Sequence, residues 1–444
     1  MKRELVIIGG GVAGMAAAVE AIARGLHPII LDKNRYLGGR VRSFMARDIR
    51  RTIDNGQHVL SAAYTKTLDF LRTIGSIDQV QLQPCLKLRF LFEKNRYFDF
   101  QTSALPAPFH FFFPLMKQIK ISGIRPADLL HLLWQQYILK PEKFSEMTVS
   151  EWTGHCRQSE KIRQLIWNPM SLAILNTPAE EADARLLLSA VQQSFLKSSK
   201  MAGFGICRNG LSEIFAHPAE RYIVENGGSI YTLQNVKKLI IRNNRVKAVV
   251  TGKQQFDAPL ALSTVPPYAL REIIRHSQNE TLSSQGEQLE QFSYNSIMTI
   301  YLFLKSSLGF EGIMAPVNTP LQWILPLPEK GQGKGYAVVV SAANSWNGLA
   351  AEDILEKVKE EFFNLFNLRL ENSHSILAHK IIREKRATIA QTPQSQKWRM
   401  QPGPLLDNFY VAGDWTATGL PATIEGAITS GQRAVQQISE KLLS

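Results

Sequence analysis

The stretch Leu5-Val6-Ile7-Ile8-Gly9-Gly10-Gly11-Val12-Ala13-Gly14 decides the fold. Its run of branched apolar residues predicts a buried strand, and the glycines that follow fit GxGxxG at Gly9, Gly11 and Gly14. Each glycine meets a separate physical need. Gly9 permits the tight turn out of the strand, Gly11 lets backbone come close to a pyrophosphate, and Gly14 lets the next helix pack against the sheet. The helix predicted over Ala13 to Arg24 turns free N–H groups and its positive dipole end, at Val12 and Ala13, toward those phosphates. Gly25 is a natural helix stop, and Pro28-Ile29-Ile30-Leu31 reads as a second strand. Asp32 follows, 23 residues after Gly9, where an acid can take ribose hydroxyls. Strand, glycine turn, helix, stop, strand and acid in this order predict an α/β fold with a Rossmann-like dinucleotide-binding domain.

The next residues narrow the dinucleotide. Asp32-Lys33-Asn34-Arg35-Tyr36-Leu37-Gly38-Gly39-Arg40 sets an acid, a short spacer and Gly-Gly-Arg in line, with Arg42 and Ser43 beyond. A guanidinium can bind a diphosphate through paired, charge-assisted hydrogen bonds. A dinucleotide spans more than one βα unit, so the rest of its site must come from a distant segment. Asn408-Phe409-Tyr410-Val411-Ala412 reads as a short strand, followed by Gly413-Asp414-Trp415-Thr416. Thr418-Gly419-Leu420-Pro421-Ala422-Thr423-Ile424-Glu425-Gly426-Ala427 then opens a helix.

These motifs resemble the flavoprotein family that holds amine oxidases, carotenoid desaturases and protoporphyrinogen oxidase. The resemblance implies FAD as cofactor, bound by a Rossmann-like FAD-binding domain of the amine oxidase and glutathione reductase type, beside a mixed α+β substrate domain. By match, Asp32 and Lys33 would lie at the adenosine ribose, Val236 at the adenine, and Gly38, Gly39 and Arg40 at the pyrophosphate and flavin. Gly413 and Asp414 would meet the ribityl chain, with Thr423 and Ile424 at the helix start facing the flavin pyrimidine edge. A positive helix end there would stabilise the charge that reduced flavin carries.

Asp54-Asn55-Gly56-Gln57-His58, taken with the Gly413 to Glu425 block, resembles the squalene-associated, hydroxysqualene dehydroxylase branch of that family. The branch implies a long-chain isoprenoid substrate and reductive removal of its allylic hydroxyl, with hydride from reduced FAD. Gly56 and Gln57 are expected beside the flavin. His58 is the first candidate for the acid that protonates the leaving group, against the alternative of a histidine that only bonds backbone or cofactor. Glu425 is the second, against the alternative of a helix cap. Thr423 stands where amine oxidases carry an aromatic cage residue. An external reductant is implied, with NADPH as a candidate. Two other readings stay open: a carotenoid-type desaturase, and a non-catalytic prenyl-lipid-binding protein of the same fold. The intact glycines, Arg40 and Asp414 argue against the last.

Between the two ends, Arg208-Asn209-Gly210-Leu211-Ser212-Glu213-Ile214 reads as a helix start. Val236 to Ile241 and Arg245 to Val250 read as a hairpin turning at Asn243-Asn244, and the apolar run Ala258 to Val265 as a strand. The expected FAD-binding domain is therefore discontinuous, residues 1–64, 200–265 and 401–444, with the substrate domain in 65–199 and 266–400. In the latter, Tyr294 to Leu304 and Tyr336 to Ala342 read as strands and Ala351 to Phe366 as an amphipathic helix. Gly331-Gln332-Gly333-Lys334-Gly335 precedes a strand, which makes it a hairpin turn rather than a second nucleotide loop.

Composition bounds the partners. A hydrophobic fraction of 45% over 444 residues excludes disorder and a multispan membrane protein. Lys2-Arg3 followed by the mostly apolar Leu5 to Ala23 imitates a signal peptide, but the glycine turn and second strand explain that stretch better. Three cysteines without CxxC spacing predict a reducing, cytoplasmic setting with no disulfide and no metal site. The net charge of +13 favours anionic partners, and without any nucleic-acid-reading motif the membrane surface is preferred over nucleic acid. Phe109, Phe111, Phe112 and Phe113 beside Lys117, Lys120 and Arg125, and the leucine-rich Pro126 to Leu139, read either as core or as a mouth that docks on the inner face of a membrane.

Overall fold

The computed structural model describes residues 3–138, 140–195, 197–328, 333–368 and 375–443, with backbone alone for 133–138. Two sheets organise the chain. The first has the order Ser229–Tyr231, His27–Leu31, Glu4–Ile8, Ala261–Ser263, Phe409–Val411, Gly403–Leu406, parallel except for the last pair. Leu5, Val6 and Ile7 have no accessible surface, because both faces of this sheet are covered. Leu5 and Ile7 face the helices Val12–Ala23 and Ile424–Leu443, whereas Val6 and Ile8 face Val236, Val249, Leu270, Ile274 and Leu289. The two helices on the first face pack closely, since a Cβ on Gly431 would stand 2.3 Å from the Ala13 carbonyl oxygen.

The second sheet has seven strands, ordered Ile376–Ile389, Tyr294–Leu304, Lys334–Val340, Trp323–Pro326, Met314–Pro316, Lys87–Phe92, Arg96–Gln101. The helix Ala351–Phe366 covers one face through Ile354, Val358 and Phe362. Helices between Phe109 and Phe195 form a further layer with their own core around Trp152 and Trp167. Between Tyr294–Leu304 and Ile376–Ile389 the register slips: Asn295 pairs with Thr388 and Ile297 with Glu384. Lys385, Arg386 and Ala387 therefore oppose Ser296 alone, a bulge that re-aims the side chains it carries.

The hairpin of Val236–Arg242 and Arg245–Thr251 turns through Asn243 and Asn244, both at positive φ as a two-residue turn requires. Around Arg208 the helix begins later, with a π-type turn at Ser212–Ala216, and the apolar run after Ala258 contributes only Ala261–Ser263 as strand. Trp323–Pro326 and Lys334–Val340 form the hairpin expected near Gly331, although Gly331 and Gln332, like Lys2 and Leu139, lie outside the described residues.

The expected domain boundaries at 64/65 and 265/266 need correction. Phe70, Leu71 and Val80 join the core on the first face of the six-stranded sheet, and Leu270, Ile273, Leu282 and Leu289 fill the other face. The apolar stripes of the helices Thr65–Thr73, Pro267–Ser277 and Glu280–Glu290 thus bury against the dinucleotide-type sheet. Amphipathic spacing shows that a helix needs a core without saying which of two it fills. No described helix is long and apolar enough to cross a membrane.

Candidate active site

A cavity of about 1310 Å³ runs between the two sheets, and it has a polar arm and an apolar arm. The polar arm begins at the glycine turn. Gly9 sits at φ +104, where only glycine is unstrained, and a Cβ on Gly14 would stand 2.0 Å from the Gly9 carbonyl oxygen, so the helix can start only from glycine at both places. A Cβ on Gly11, by contrast, would project into open space, and Gly11, Val12 and Ala13 line the cavity. The helix that starts there has no side-chain cap and no acid in its first turn. Uncapped N–H groups, a positive dipole end and room for close approach are what an anionic diphosphate requires.

The Asp32 carboxylate closes this arm at the end of its strand. Its Oδ2 accepts from the Gly10 N–H at 2.7 Å and its Oδ1 from the Asn34 N–H at 2.7 Å, and the residue lines the cavity with Lys33 and, farther along, Val236. Gly38, Gly39 and Arg40 come next. The Arg40 guanidinium donates to Asp414 Oδ1 at 2.8 Å and to the Ala387 carbonyl at 2.5 Å. Burial opposes its charge, yet Asp414, by charge and by hydrogen bond, outweighs that and holds Arg40 above its ordinary value. The 38% of this side chain that remains accessible belongs to a residue lining the cavity. Arg40 and Asp414, separately expected at the pyrophosphate and the ribityl chain, are thus one ion pair in this structure.

Gly413 and Asp414 are presented by a fastened loop. The Gly413 N–H donates to Ser430 Oγ at 2.8 Å, and the Trp415 indole N–H donates to the Val265 carbonyl at 3.1 Å. Arg399, nearly fully buried, donates to the carbonyls of Asp414, Trp415 and Thr416, and burial brings its pKa down to about 10. Sequence reasoning missed Arg399 because an isolated arginine carries no motif.

Gly56, Gln57, His58, Thr423, Ile424 and Glu425 all line the same cavity, and the two proton-donor candidates are held in different ways. Burial holds the His58 imidazole below its ordinary range, and the Arg40 charge adds to this against the Gly56 bond and the Asp54 charge. A neutral ring whose Nδ1 donates to the Gly56 carbonyl at 2.7 Å leaves Nε2 as an acceptor. Burial therefore favours the ring form that accepts at Nε2 over the one that donates there. Glu425 accepts from the N–H of Lys66 at 3.0 Å, the N–H of Thr67 at 2.8 Å and the Thr67 hydroxyl at 2.7 Å. It caps the helix Thr65–Thr73, a neighbouring helix rather than its own. Burial pushes the nearby Tyr64 phenol, which also lines the cavity, up to about 12.

The apolar arm has no counterpart of these motifs. Its walls come from Leu88 and Phe90, from Leu165, Met170 and Ile174, from Phe195 and Phe204, and from Ile297, Trp323 and Val339. Phe111 and Leu115 of the helix Phe109–Lys117 close one side, Phe111 stacked on Phe100 at 5.7 Å. The same helix turns Phe109 and Phe113 outward, 42% and 47% exposed and stacked on each other at 6.0 Å. The aromatic cluster is therefore core and surface at once, divided by helix face.

Comparison with known proteins agrees with this geometry. The description "Flavin containing amine oxidoreductase" matches residues 12–439. The chain belongs to that family. It is an FAD-dependent oxidoreductase, and the uncapped glycine-turn helix, the open cradle at Gly11 and the Arg40–Asp414 pair fit that cofactor. Among curated family members, a hydroxysqualene dehydroxylase of Rhodopseudomonas palustris is 25% identical over 446 residues, covering 99% of each chain. One of Zymomonas mobilis is 24% identical over 433 residues, covering 96% of this chain and 97% of the other. A 15-cis-phytoene desaturase of Synechococcus elongatus is 21% identical over 459 residues, covering 97% and 95%. Among solved structures, cyclohexylamine oxidase from Brevibacterium oxydans superposes with a TM-score of 0.71 at 14% identity over 100% of both chains, a likeness of fold.

Proposed function

We propose that this flavoprotein reductively removes the allylic hydroxyl of hydroxysqualene, a C30 isoprenoid alcohol, and releases squalene. The observation that carries the reading is the continuity of the polar arm with an apolar arm in one cavity of about 1310 Å³, larger than the ~300–1,000 Å³ typical of a small-ligand site. Full-length similarity to hydroxysqualene dehydroxylases supports the choice of substrate.

In this reading the Gly9–Gly14 turn, with Val12 and Ala13, binds the FAD diphosphate; Asp32, Lys33 and Val236 hold the adenosine; and Gly38, Gly39, Arg40, Gly413 and Asp414 hold the ribityl and diphosphate region. Gly56, Gln57, Thr423 and Ile424 wall the flavin end. When bound, reduced FAD supplies a hydride. His58, neutral with Nε2 free to accept, takes a hydrogen bond from the substrate hydroxyl and orients it. The side chains of the apolar arm exclude water from the isoprenoid chain. The outward Phe109 and Phe113, with exposed Lys117, Lys120 and Arg125 beside them, dock the mouth on an anionic membrane surface, from which a water-insoluble substrate is collected.

Anaerobic incubation of photoreduced protein with hydroxysqualene tests the reaction. Squalene should form in step with flavin reoxidation. Absence of squalene, together with desaturation of phytoene by the oxidised protein, would replace this reading by the carotenoid desaturase one, which full-length similarity to a phytoene desaturase also favours.

A further inference from the structure

With His58 accepting from the substrate hydroxyl and Glu425 committed to the helix Thr65–Thr73, the departing oxygen still calls for a positively polarised partner, and the register slip between Tyr294–Leu304 and Ile376–Ile389 brings one to the cavity. The bulge is fastened at both ends. The Ala387 carbonyl accepts from Arg40 at 2.5 Å, and Thr388 Oγ1 accepts from Asn176 Nδ2 at 3.0 Å. Arg40 belongs to the polar arm, and Asn176 ends the turn whose Leu172, Ala173 and Ile174 wall the apolar arm. Arg386 thus sits where the two arms join.

Arg386 lines the cavity, and its guanidinium carbon lies over two rings that meet edge to face, 4.3 Å from the centre of Tyr268 and 5.8 Å from that of Tyr294. Cation–π contact of this kind holds the charge in place and uses none of its N–H hydrogen bonds. Among the described residues no carboxylate forms an ion pair with it, whereas Arg40 is paired with Asp414. A guanidinium at the junction, held over two rings and without an ion-pair partner among the described residues, is an arrangement for receiving an oxygen that gains negative charge.

We propose that Arg386 binds the oxygen of the substrate hydroxyl and stabilises it as the carbon–oxygen bond breaks. This rests on the allylic-alcohol reading above. The bonding pair goes to the oxygen; the hydride that replaces it on carbon would come from the two-electron-reduced flavin, and the proton that the same oxidation of FADH2 releases would reach the oxygen through solvent, so that it leaves as water. The guanidinium keeps its own protons throughout and acts as a hydrogen-bond donor.

Binding of hydroxysqualene and of squalene to the oxidised holoprotein, followed by perturbation of the flavin spectrum in matched micelles, tests both layers. Wild type should bind the alcohol at least tenfold more tightly than the hydrocarbon. Arg386→Met should bring the two affinities together while FAD content and squalene affinity stay unchanged, and Arg386→Lys should restore part of the preference. An Arg386→Met protein that keeps the preference overturns the proposal. One that loses FAD also overturns it, by assigning Arg386 to the diphosphate. If wild type itself shows no preference for the alcohol, the allylic-alcohol reading fails, and the role of Arg386 falls with it.

Discussion

The polar and apolar arms of the cavity have similar tasks, each enclosing a long molecule, and they are built in opposite ways. The polar arm is walled by backbone at the ends of parallel strands, where Gly9 and Gly14 are required by the turn itself, Gly11 leaves the space beside it open, and Asp32 and Asp414 are fixed by hydrogen bonds. The apolar arm is walled by side chains from many separate segments, each needing only bulk and hydrophobicity. A wall of backbone tolerates few sequences; a wall of side chains tolerates many.

The contrast can be broken at three points. The largest effect is expected at Gly11, where an added side chain meets nothing in the protein but enters the space assigned to the diphosphate. Gly11→Val should weaken FAD binding at least a hundredfold, about 3 kcal/mol, with little change in the melting temperature of the apoprotein. Reconstitution of apoprotein followed by flavin fluorescence measures this, and full flavin occupancy in the variant would show that the diphosphate lies elsewhere.

In the other arm, Ala173→Phe should do the converse. Flavin content should stay at the wild-type level while KM for the isoprenoid rises about tenfold, roughly 1.4 kcal/mol. Steady-state kinetics on the flavin-replete variant decides it, and unchanged KM would mean that the substrate does not pass the turn Ser171–Leu175.

The smallest effect separates the two faces of the helix Phe109–Lys117. Phe109→Ser with Phe113→Ser should reduce binding to anionic vesicles several-fold, about 1 kcal/mol, and leave thermal stability unchanged. Phe111→Ser should instead lower stability by about 2 kcal/mol, because its ring packs against Phe100 and Phe195. Vesicle sedimentation and thermal melts on the same samples would sink the division if the double variant bound as wild type does.

The same contrast explains how much was legible in the sequence. Gly9 to Asp32, Gly-Gly-Arg and the Gly413 to Glu425 block announced the fold and most of the polar arm, because backbone geometry and charge demand particular residues at fixed spacing. The helix Ala351–Phe366 was equally plain from its periodicity. The domain boundaries were not, since the stripe of Pro267–Ser277 suits either core. The lowered pKa of His58 was not, because the burial that lowers it is produced by the fold. Nor was Arg386, whose orientation depends on a slip in register between strands more than 70 residues apart.

The centre of the six-stranded sheet joins residues 4–8 to 261–263 and then to 409–411. At roughly 5–20 residues per second of translation, the glycine turn waits on the order of half a minute for Asp414 and for the helix Ile424–Leu443 that packs on its own helix. Over the last part of that time, roughly 7–30 s, Ala261–Ser263 presents an unpaired apolar edge to which Phe409–Val411 will later pair. Cofactor loading is therefore a late event in the life of this polypeptide, open only to a chain that is almost completely made.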